Sequence, residues 1–376
     1  MNLEQIYVAY LQEYGEPDYL LSVFADNQQM TPNRLDIAYR FPIEEEEKYA
    51  TSIMTLGLAT VRMTGAVKTA ELVMDILGKY SHADYDNVGK ALANLVWNHL
   101  QLGLNFAPNL IIREISIPFF EKMSCLFVMD WGHSEPEWLE GVEPSVRLLE
   151  IVPIYTSEAN TLERINPNLR TRVFVESKGD WNNYKRQPVL LLQAATKNVW
   201  NKLEKWYEQN APVVYQGLKA GASEQEIKNL ENIIGIILPD DFATSLMTHN
   251  GEIEFHDYTY LTVEQIYQIW SMMNELNAEN AFSSYEMAEN NKGIIKDTWW
   301  DSHWIPFALD SCGNSICIDL SPGENGTVEQ IIYMEKNEGP MISKYKSFFE
   351  WLWEYQQDLY RGYYRVNQDG LVEEKL

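Results

Sequence analysis

The chain has 376 residues, of which 45% are hydrophobic and 12% aromatic. This length and composition exclude wholesale disorder and allow two domains, each with its own core. The formal net charge is −26. A field of this sign repels phosphate backbones, so we expect no direct nucleic-acid ligand.

The acidic charge is concentrated in the second part of the chain. Residues 213–376 carry 27 acidic and 10 basic side chains, a net charge of −17, whereas residues 1–212 carry 28 and 19, a net charge of −9. Opposite fields accelerate the association of two proteins, which favours a basic protein as the partner. Acidity that only keeps a protein soluble is the other interpretation.

Cysteine content and hydropathy predict the compartment. The three cysteines, Cys125, Cys312 and Cys317, exclude a disulfide framework and favour a reducing cytoplasm. Residues 1–5 lack the features of a signal peptide, and no apolar run approaches the roughly 20 residues that cross a bilayer. We therefore expect a cytoplasmic protein that makes no membrane contact.

Apolar periodicity predicts a first domain over residues 1–192. Helices are expected at 3–14 and 87–101, where apolar side chains recur at helical spacing. Strands are expected at 52–63 and 70–77, and further apolar segments lie at 111–117, 125–129 and 146–155. Ala211-Pro212 and the glycines Gly217 and Gly221 then predict a linker at 193–220.

Capping patterns predict a second domain over residues 221–376. Ser223 and Glu226 form a capping box that begins a helix, Pro239 ends it, and a helix over 242–248 ends at Asn250-Gly251. Strands are predicted at 304–309, 315–320 and 328–334, and a closing helix begins at Ser347 and Glu350. Both domains are expected to be α+β, with a mostly antiparallel or mixed sheet packed against helices. Residues 218–376 are expected to fold alone.

Acidic side chains alternate with apolar ones just after the Asn-Gly turn. Glu252, Glu254 and Asp257 follow the turn, with Ile253 and Phe255 between them. The alternation predicts a strand with one acidic face, a candidate contact for cationic side chains of a partner. A strand face that is merely solvated is an equally good interpretation.

Two adjacent tryptophans, Trp299 and Trp300, are the second candidate contact. Tryptophan is enriched at binding hot spots, so we place both of them, with the neighbouring Asp301, on the partner-binding surface. Large aromatic side chains also dominate cores, which leaves a core position equally open. Trp304 alternates with Pro306 along a predicted strand and is expected to be structural.

The sequence contains no nucleophile elbow, P-loop, dinucleotide glycine pattern or paired-histidine zinc helix. The segment Asp130–Glu137 has oxygen and imidazole groups that suit a divalent metal. Gly132 and Pro136 indicate a loop, however, and a solvated acidic loop is the favoured interpretation. Cys312 and Cys317 lack a second ligand pair and are interpreted as small strand residues. We expect no catalytic residue, no cofactor, no metal and no enzyme.

Several fragments of the second domain occur in a characteristic order. They are Leu238-Pro239-Asp240-Asp241-Phe242, Asn250-Gly251, Trp304-Ile305-Pro306-Phe307-Ala308, Gly313-Asn314, Ile316-Cys317-Ile318-Asp319-Leu320 and Ser347-Phe348-Phe349-Glu350-Trp351-Leu352. In this order they resemble the SUKH superfamily of Smi/Knr-type domains, with a departure in the extended stretch between Tyr260 and Trp299. Bacterial members of that superfamily are commonly immunity proteins that bind and silence a toxin.

Three fragments of the first half carry a second resemblance. They are Glu71-Leu72-Val73-Met74, Leu92-Ala93-Asn94-Leu95-Val96-Trp97, and Leu148–Tyr155 with Glu158 after it. Over residues 30–190 the chain is similar to the suppressor-of-fused domain, which also occurs among predicted toxin-immunity proteins of bacteria.

The two resemblances imply a cytoplasmic immunity protein. It would bind a cognate toxin, a basic protein such as a nuclease, and occlude its active surface stoichiometrically without turnover. Three alternatives stay open. The chain is otherwise a regulatory scaffold that binds another protein, a metal-dependent hydrolase at Asp130–Glu137, or a sensor of a small ligand.

Overall fold

The structure is a computed structural model that describes residues 2–27, 30–42, 49–61, 69–130, 137–138, 146–255, 257–282, 288 and 291–375. The chain divides into two compact units. Unit 1 comprises Met1–Arg172 and Gly179–Val189, and unit 2 comprises Val173–Lys178 and Leu190–Leu376. Each unit combines helices with a sheet, so the predicted α+β class is confirmed. Among the described helices, none has the length and apolar character required to cross a membrane.

Unit 1 is built on a mixed sheet. Its strands are β1 (Tyr19–Phe24), β2 (Arg34–Arg40), β3 (Ala50–Leu56), β4 (Thr69–Leu77), β5 (Ile111–Arg113), β6 (Cys125–Asp130), β7 (Glu137–Trp138) and β8 (Val146–Ile154). The strand order is β1-β2-β3-β4-β8-β6-β5, and β7 also pairs with β8. Strands β4 and β8 run parallel, while the other neighbouring pairs are antiparallel.

The helices of unit 1 cover both faces of this sheet. They are α1 (Leu3–Tyr14), α2 (His82–Gln101), α3 (Thr156–Arg164) and α4 (Pro167–Glu176), whose last residues belong to unit 2. Successive side chains of a strand point to opposite faces, so Leu72 packs in the core cluster of α2, whereas Val73 packs in that of α1. The strands are therefore apolar on both faces, which explains the continuous apolar runs in the sequence.

One predicted strand of unit 1, at 52–63, and one apolar segment, at 111–117, form strands that end at left-handed residues. The apolar run at 52–63 gives β3 only as far as Leu56, because Gly57 has φ 119° and begins a short 3-10 helix at Leu58–Thr60. The run at 111–117 gives β5 only as far as Arg113, because Glu114 has φ 59°. Hydrophobicity predicts where side chains are buried but does not predict these backbone turns.

The described residues of unit 2 form six further helices. They are α5 (Leu191–Asn210), α6 (Pro212–Gly217), α7 (Glu224–Ile234), α8 (Asp240–Thr248), α9 (Val263–Ala278) and α10 (Phe348–Arg361). The capping box of α7 is formed, since Ser223 Oγ accepts from Glu226 N at 3.2 Å and Glu226 Oε2 accepts from Ser223 N at 2.7 Å. The helix ends at Ile234 before the left-handed Gly235, earlier than the predicted stop at Pro239.

The segment predicted as a linker, residues 193–220, lies for the most part in α5 and α6 and belongs to unit 2. Helix α5 buries Trp200, Leu203 and Tyr207 completely. Trp200 Nε1 donates to Ser245 Oγ of α8 at 2.9 Å, and Tyr207 donates to the Tyr355 hydroxyl of α10 at 3.2 Å. Residues 218–376 therefore lack part of their own core, and we no longer expect them to fold alone.

Six of the described strands of unit 2 form an antiparallel sheet. These are β9 (Glu254–Phe255), β10 (Tyr258–Tyr260), β11 (Trp304–Asp310), β12 (Ser315–Asp319), β13 (Gln330–Glu335) and β14 (Gly339–Ile342), in the order β14-β13-β12-β11-β10-β9. The predicted strands at 304–309, 315–320 and 328–334 correspond to β11, β12 and β13. A hairpin of β15 (Tyr364–Val366) and β16 (Val372–Glu374) follows α10.

Candidate partner-binding surface

The predicted acidic strand lies at one edge of the unit 2 sheet. Glu252 and Glu254 are exposed, while Ile253 is 3% exposed and Phe255 is fully buried. Asp257 is exposed in the turn that joins β9 to β10. The alternation predicted from the sequence is therefore present at 252–255, and we call Glu252, Glu254 and Asp257 the acidic edge.

The Asn-Gly turn fixes where the acidic edge begins. Gly251 has φ 73°, and an added Cβ would lie 2.4 Å from the backbone nitrogen of Thr262. Glu252 is also left-handed, with φ 59°, and its N–H donates to the carbonyl of Tyr260 at 2.8 Å. These two residues shorten the predicted strand, because β9 can begin only after the backbone leaves the left-handed region.

The acidic edge is only partly neutralised by the chain itself. Lys219 Nζ lies 3.0 Å from Glu252 Oε2, and both side chains are about half exposed. Among the described residues, this is the one ion pair that the acidic edge makes, and Glu254 and Asp257 form none. Exposed pairs contribute about 0–1 kcal/mol, so Glu252 can exchange Lys219 for a cation of another molecule at little cost.

A groove adjoins the acidic edge, with α7 on one side and α9 on the other. Its volume is about 580 Å³. It is lined by Glu226, Asn229, Leu230, Ile233, Asn250, Glu252, Thr262, Val263, Glu264, Gln265, Tyr267 and Gln268. We call it the α7–α9 groove, and Glu252 belongs to both the groove and the acidic edge.

Trp300 is a core residue and not a contact residue. It is 1% exposed and lies in a core cluster with Trp304, Cys317 and Ile332. Its ring meets that of Trp304 nearly edge-on, with 5.8 Å between centroids. The sequence-based assignment of Trp300 to the partner-binding surface is corrected here, because a side chain enclosed on every side cannot reach a partner.

The neighbours of Trp300 are also used within the fold. Trp299 is half-buried and packs on Gly339, where an added Cβ would lie 2.3 Å from the indole ring. Asp301 is 8% exposed and accepts from Lys296 Nζ and from the backbone N–H of His303 at 2.9 Å. Burial by itself raises the pKa of Asp301, but these donors hold it below its usual range. Asp301 is therefore a turn-stabilising residue and is also removed from the predicted surface.

Buried carboxylates join the fragments that carry the SUKH resemblance. Asp241 is fully buried and accepts from Phe349 N at 2.7 Å, which ties the start of α8 to the start of α10. Asp319 accepts from Trp304 Nε1 at 3.0 Å, which ties β12 to β11. Burial raises the pKa of Asp241 to about 6 and also raises that of Asp319. The polar residues of these fragments therefore hold the fold together, a role that was not predicted from the sequence.

The candidate metal loop falls largely outside the described residues, which exclude 131–136. Asp130, at its start, accepts two hydrogen bonds from the Arg147 guanidinium, which occupies both carboxylate oxygens. The described residues contain no group of three or more potential metal ligands. Cys312 is exposed, whereas Cys317 is buried and burial raises the pKa of its thiol to about 12, so it stays protonated at neutral pH.

The apolar part of the α7–α9 groove was also not predicted from the sequence. Ile233 and Tyr267 are 60% and 39% exposed although both are large apolar side chains of helices. Ile233 lies one position off the buried stripe of Ile227, Leu230 and Ile234. This position in the sequence could have predicted that Ile233 is exposed, since an apolar residue beside the buried stripe of an amphipathic helix faces the surface.

Known proteins are similar to parts of this chain. The cell wall biosynthesis/cell cycle regulator smi1 of Schizosaccharomyces pombe is 26% identical over 187 residues, which cover 45% of this chain and 37% of that protein. The glucan synthesis regulatory protein of Neurospora crassa is 23% identical over 209 residues, covering 45% and 39%. The mouse F-box only protein 3 is 35% identical over 80 residues, covering 21% and 16%. The chain thus spans less than half the length of these relatives.

Solved suppressor-of-fused structures are similar to this chain as well. The Sufu–Fu complex covers 53% of this chain and 96% of that one, with a TM-score of 0.37 and 14% identity. A SUFU homologue from Neisseria gonorrhoeae covers 50% and 96%, with a TM-score of 0.38 and 14% identity. Within unit 2, the family model of the SMI1/KNR4 family (SUKH-1) matches residues 221–354. Residues 221–354 therefore carry the SUKH domain that their ordered fragments predict.

Proposed function

We propose that this chain is a non-enzymatic immunity protein of the cytoplasm, which neutralises a basic toxin by covering its active surface with the acidic edge of unit 2. The observation that carries the proposal is the exposure of Glu252, Glu254 and Asp257 beside the buried Ile253 and Phe255. The apolar neighbours anchor the strand in the core, so the carboxylates are presented on a fixed backbone. A fixed array loses little conformational freedom on binding.

The distribution of charge supports a basic protein as the partner. The net charge of residues 213–376 is −17, and Lys219 is the cation that pairs with the acidic edge in the described chain. A field of this kind steers a basic partner towards the edge and accelerates encounter, most strongly at low salt. Carboxylates arranged in this way also mimic the charge of a nucleic-acid backbone, which suits a nuclease as the toxin.

Binding without turnover is supported by the use of the buried acids. Asp241 and Asp319 accept hydrogen bonds from backbone N–H groups and from a tryptophan, and Asp301 is held by Lys296 and His303. These three acids are engaged in contacts that stabilise the fold. The similarity of part of this chain to proteins named as regulators agrees with a binding role.

A binding titration against the toxin encoded beside this protein's gene tests the proposal. The test variant replaces Glu252, Glu254 and Asp257 with Lys, and the matched control replaces three exposed acids elsewhere in unit 2 with Lys: Glu208, Glu338 and Asp369. Both variants change the net charge equally. We expect the test variant to bind at least about tenfold more weakly than the control, because like charges then face each other.

Salt provides the second arm of the same experiment. Binding of the wild-type chain should weaken as salt is raised, because exposed charges are screened beyond about 8–10 Å at physiological ionic strength. If the two variants weaken binding equally, the effect comes from the net charge of the chain and not from a contact at the acidic edge. Unchanged affinity in both variants, without salt dependence, would refute the electrostatic contact.

A regulatory scaffold that binds another protein is the second candidate. The observation in its favour is the similarity to the fission-yeast cell wall and cell cycle regulator. This candidate predicts that the neighbouring toxin does not bind. It also predicts that some other protein co-purifies with the wild-type chain and is absent when the chain carries Lys at the three positions of the acidic edge. Quantitative mass spectrometry of the two sets decides between the candidates.

A further inference from the structure

The α7–α9 groove has two chemically different parts. Glu226, Glu252 and Glu264 are its charged members, and none of its twelve described lining residues is Lys, Arg or His. Leu230 lies buried in its wall, whereas Ile233 and Tyr267 are exposed beside it. The groove therefore presents carboxylates and apolar surface together.

Exposed apolar surface of this kind has no role within the unit. Ile233 is 60% exposed although the same helix buries Ile227, Leu230 and Ile234. Removing such a side chain from water is favourable in proportion to the apolar area that is covered. A side chain that is large, rigid in its helix and exposed in a concave site is an anchor point for a partner.

The acidic members are positioned by contacts within unit 2. Glu226 Oε2 accepts from the N–H and the hydroxyl of Ser223, both at 2.7 Å, which fixes its side chain at the start of α7. Glu264 Oε1 accepts from Gln268 Nε2 at 3.1 Å along α9. Glu252 is paired with the exposed Lys219. These contacts orient the carboxylates, and the groups that hold Glu226 and Glu264 are the neutral Ser223 and Gln268.

We propose that the α7–α9 groove receives a short segment of the partner protein in which a large apolar side chain lies next to Lys or Arg. The apolar side chain would pack on Ile233 and Tyr267, and the cation would meet Glu226, Glu252 and Glu264. This inference rests on the proposed function, because the segment belongs to the partner that the acidic edge attracts. It goes further by naming the chemistry of the segment and the helices that hold it.

The dimensions and charge of the groove select this occupant. Pockets that hold small ligands measure about 300–1,000 Å³, so 580 Å³ accommodates one or two side chains of a partner but not a folded domain. Three carboxylates repel phosphate and carboxylate groups. A purely apolar segment would leave these carboxylates without a counter-charge as it displaced water from them, which is unfavourable.

Three short labelled peptides serve as probes, and each is titrated with the 376-residue chain while its fluorescence anisotropy is measured. One peptide combines Lys with Leu, one replaces every Lys with Glu, and one replaces every Leu with Gln. The Lys/Leu peptide should bind at least about tenfold more tightly than the other two, because it satisfies both parts of the groove. Equal binding of the Lys/Leu and Lys/Gln peptides would overturn the apolar half of the proposal.

Matched variants locate the bound peptide. Ile233→Ala is compared with Ile237→Ala, which removes an isoleucine that is 77% exposed but does not line the groove. Glu264→Gln is compared with Glu275→Gln, which changes an exposed acid of the same helix outside the groove. The groove variants should weaken the Lys/Leu peptide about fivefold to tenfold and the controls less than about twofold. Thermal melting of each variant verifies that its fold is intact.

The results separate the groove from the proposed function. If the groove and control variants bind the Lys/Leu peptide alike, or if the peptide does not bind, the groove assignment is refuted. If the neighbouring toxin binds the wild type and both groove variants equally, neutralisation stands and the groove assignment fails. If the peptide binds in the groove but the toxin does not bind at all, the groove stands and neutralisation fails.

Discussion

Glu71 shows how unit 1 uses a buried acid. The carboxylate is fully buried and accepts from Thr55 Oγ1 at 2.7 Å and from the backbone N–H groups of Gly57, Ala59 and Leu58 at 2.8, 3.0 and 3.3 Å. It thereby holds the 3-10 turn that ends β3. Burial raises its pKa from 4.5 to about 7, although these donors act in the opposite direction.

Glu71→Gln should destabilise the chain by about 1–3 kcal/mol, because the amide NH₂ group would face backbone donors and, unlike either oxygen of the Glu71 carboxyl group, cannot accept from them. The pKa of Glu71 in the folded chain lies above the ordinary value of 4.5. The stability contributed by this shift is therefore fully present below about pH 4.5 and is lost as the pH rises to about 7.

Urea unfolding of the wild type and Glu71→Gln at about pH 5 and about pH 7.5 measures the effect, and the wild type should have the larger advantage at the lower pH. An advantage that is the same at both values would show that Glu71 does not titrate in this range.

The two adjacent tryptophans mark the limit of sequence analysis at the residue scale. Trp299 and Trp300 are identical neighbours in the sequence, yet Trp299 is half-buried on Gly339 and Trp300 is fully enclosed. Their positions depend on which side of a turn faces the core, and a turn without periodicity carries no such signal. By contrast, the exposure of Glu252 and Glu254 followed from strict alternation with Ile253 and Phe255.

At the element scale, turns that need glycine are decisive, and two of them form a matched pair. Gly251 and Gly235 have nearly the same backbone angle, with φ of 73° and 72°. An added Cβ at Gly235 meets nothing within 4 Å, whereas at Gly251 it would lie 2.4 Å from Thr262 N and 2.6 Å from the carbonyl carbon of Leu261. The pair therefore separates the cost of the angle from the cost of the clash.

Gly235→Ala should lower the free energy of unfolding by about 1–2 kcal/mol, which is the cost of the left-handed region for a residue with a Cβ. Gly251→Ala should lower it by about 3 kcal/mol or more, because rigid backbone atoms must also move. Differential scanning calorimetry of both variants tests this order. Equal effects would mean that the turn after Asn250 can relax, and the acidic edge would then not be held rigidly.

Elements were predictable where a side chain signals the backbone. Ser223 with Glu226 located the start of α7, and Ser347 located the start of α10, where its Oγ accepts from Glu350 N at 3.1 Å. Glu350 itself bonds to Lys346 N and not to Ser347 N as a capping box requires. Elements were not predictable where non-glycine residues take left-handed angles, as Glu114 does at the end of β5.

At the scale of the whole molecule, the boundary of unit 2 was the main difference between sequence and structure. Ala211-Pro212 and the nearby glycines are typical of a linker, but tertiary packing determines the unit, and α5 packs into it through Trp200, Leu203 and Tyr207. Such packing is a contact between distant parts of the sequence, which composition and periodicity do not report. The SUKH fragments, by contrast, were sufficient to locate the matched segment.

A fragment of residues 173–376, which contains all of unit 2, should therefore melt cooperatively, whereas residues 218–376 should be poorly folded and prone to aggregate. The shorter fragment loses all of α5, including the fully buried Trp200, Leu203 and Tyr207, and it loses the donors that the Ser245 and Tyr355 hydroxyls accept from. Loss of a single large core side chain costs about 3–5 kcal/mol, comparable to the whole stability of many domains. Calorimetry with near-ultraviolet circular dichroism distinguishes the two, and a cooperative melt of the shorter fragment would contradict the role of α5.

Helix α5 also affects how a mutational scan of this protein should be interpreted. The helix ends at Asn210, ahead of the matched segment that begins at 221, yet its side chains fill the core beneath α8 and α10. Substitutions at Trp200 or Tyr207 would abolish any binding by unit 2 as completely as substitutions in an interface, because both side chains are fully buried and their loss removes the folded scaffold. A scan scored by binding alone would therefore assign core residues of α5 to the contact surface. Scoring abundance in parallel separates the two groups, and only positions that lose binding while abundance is kept belong to the surface.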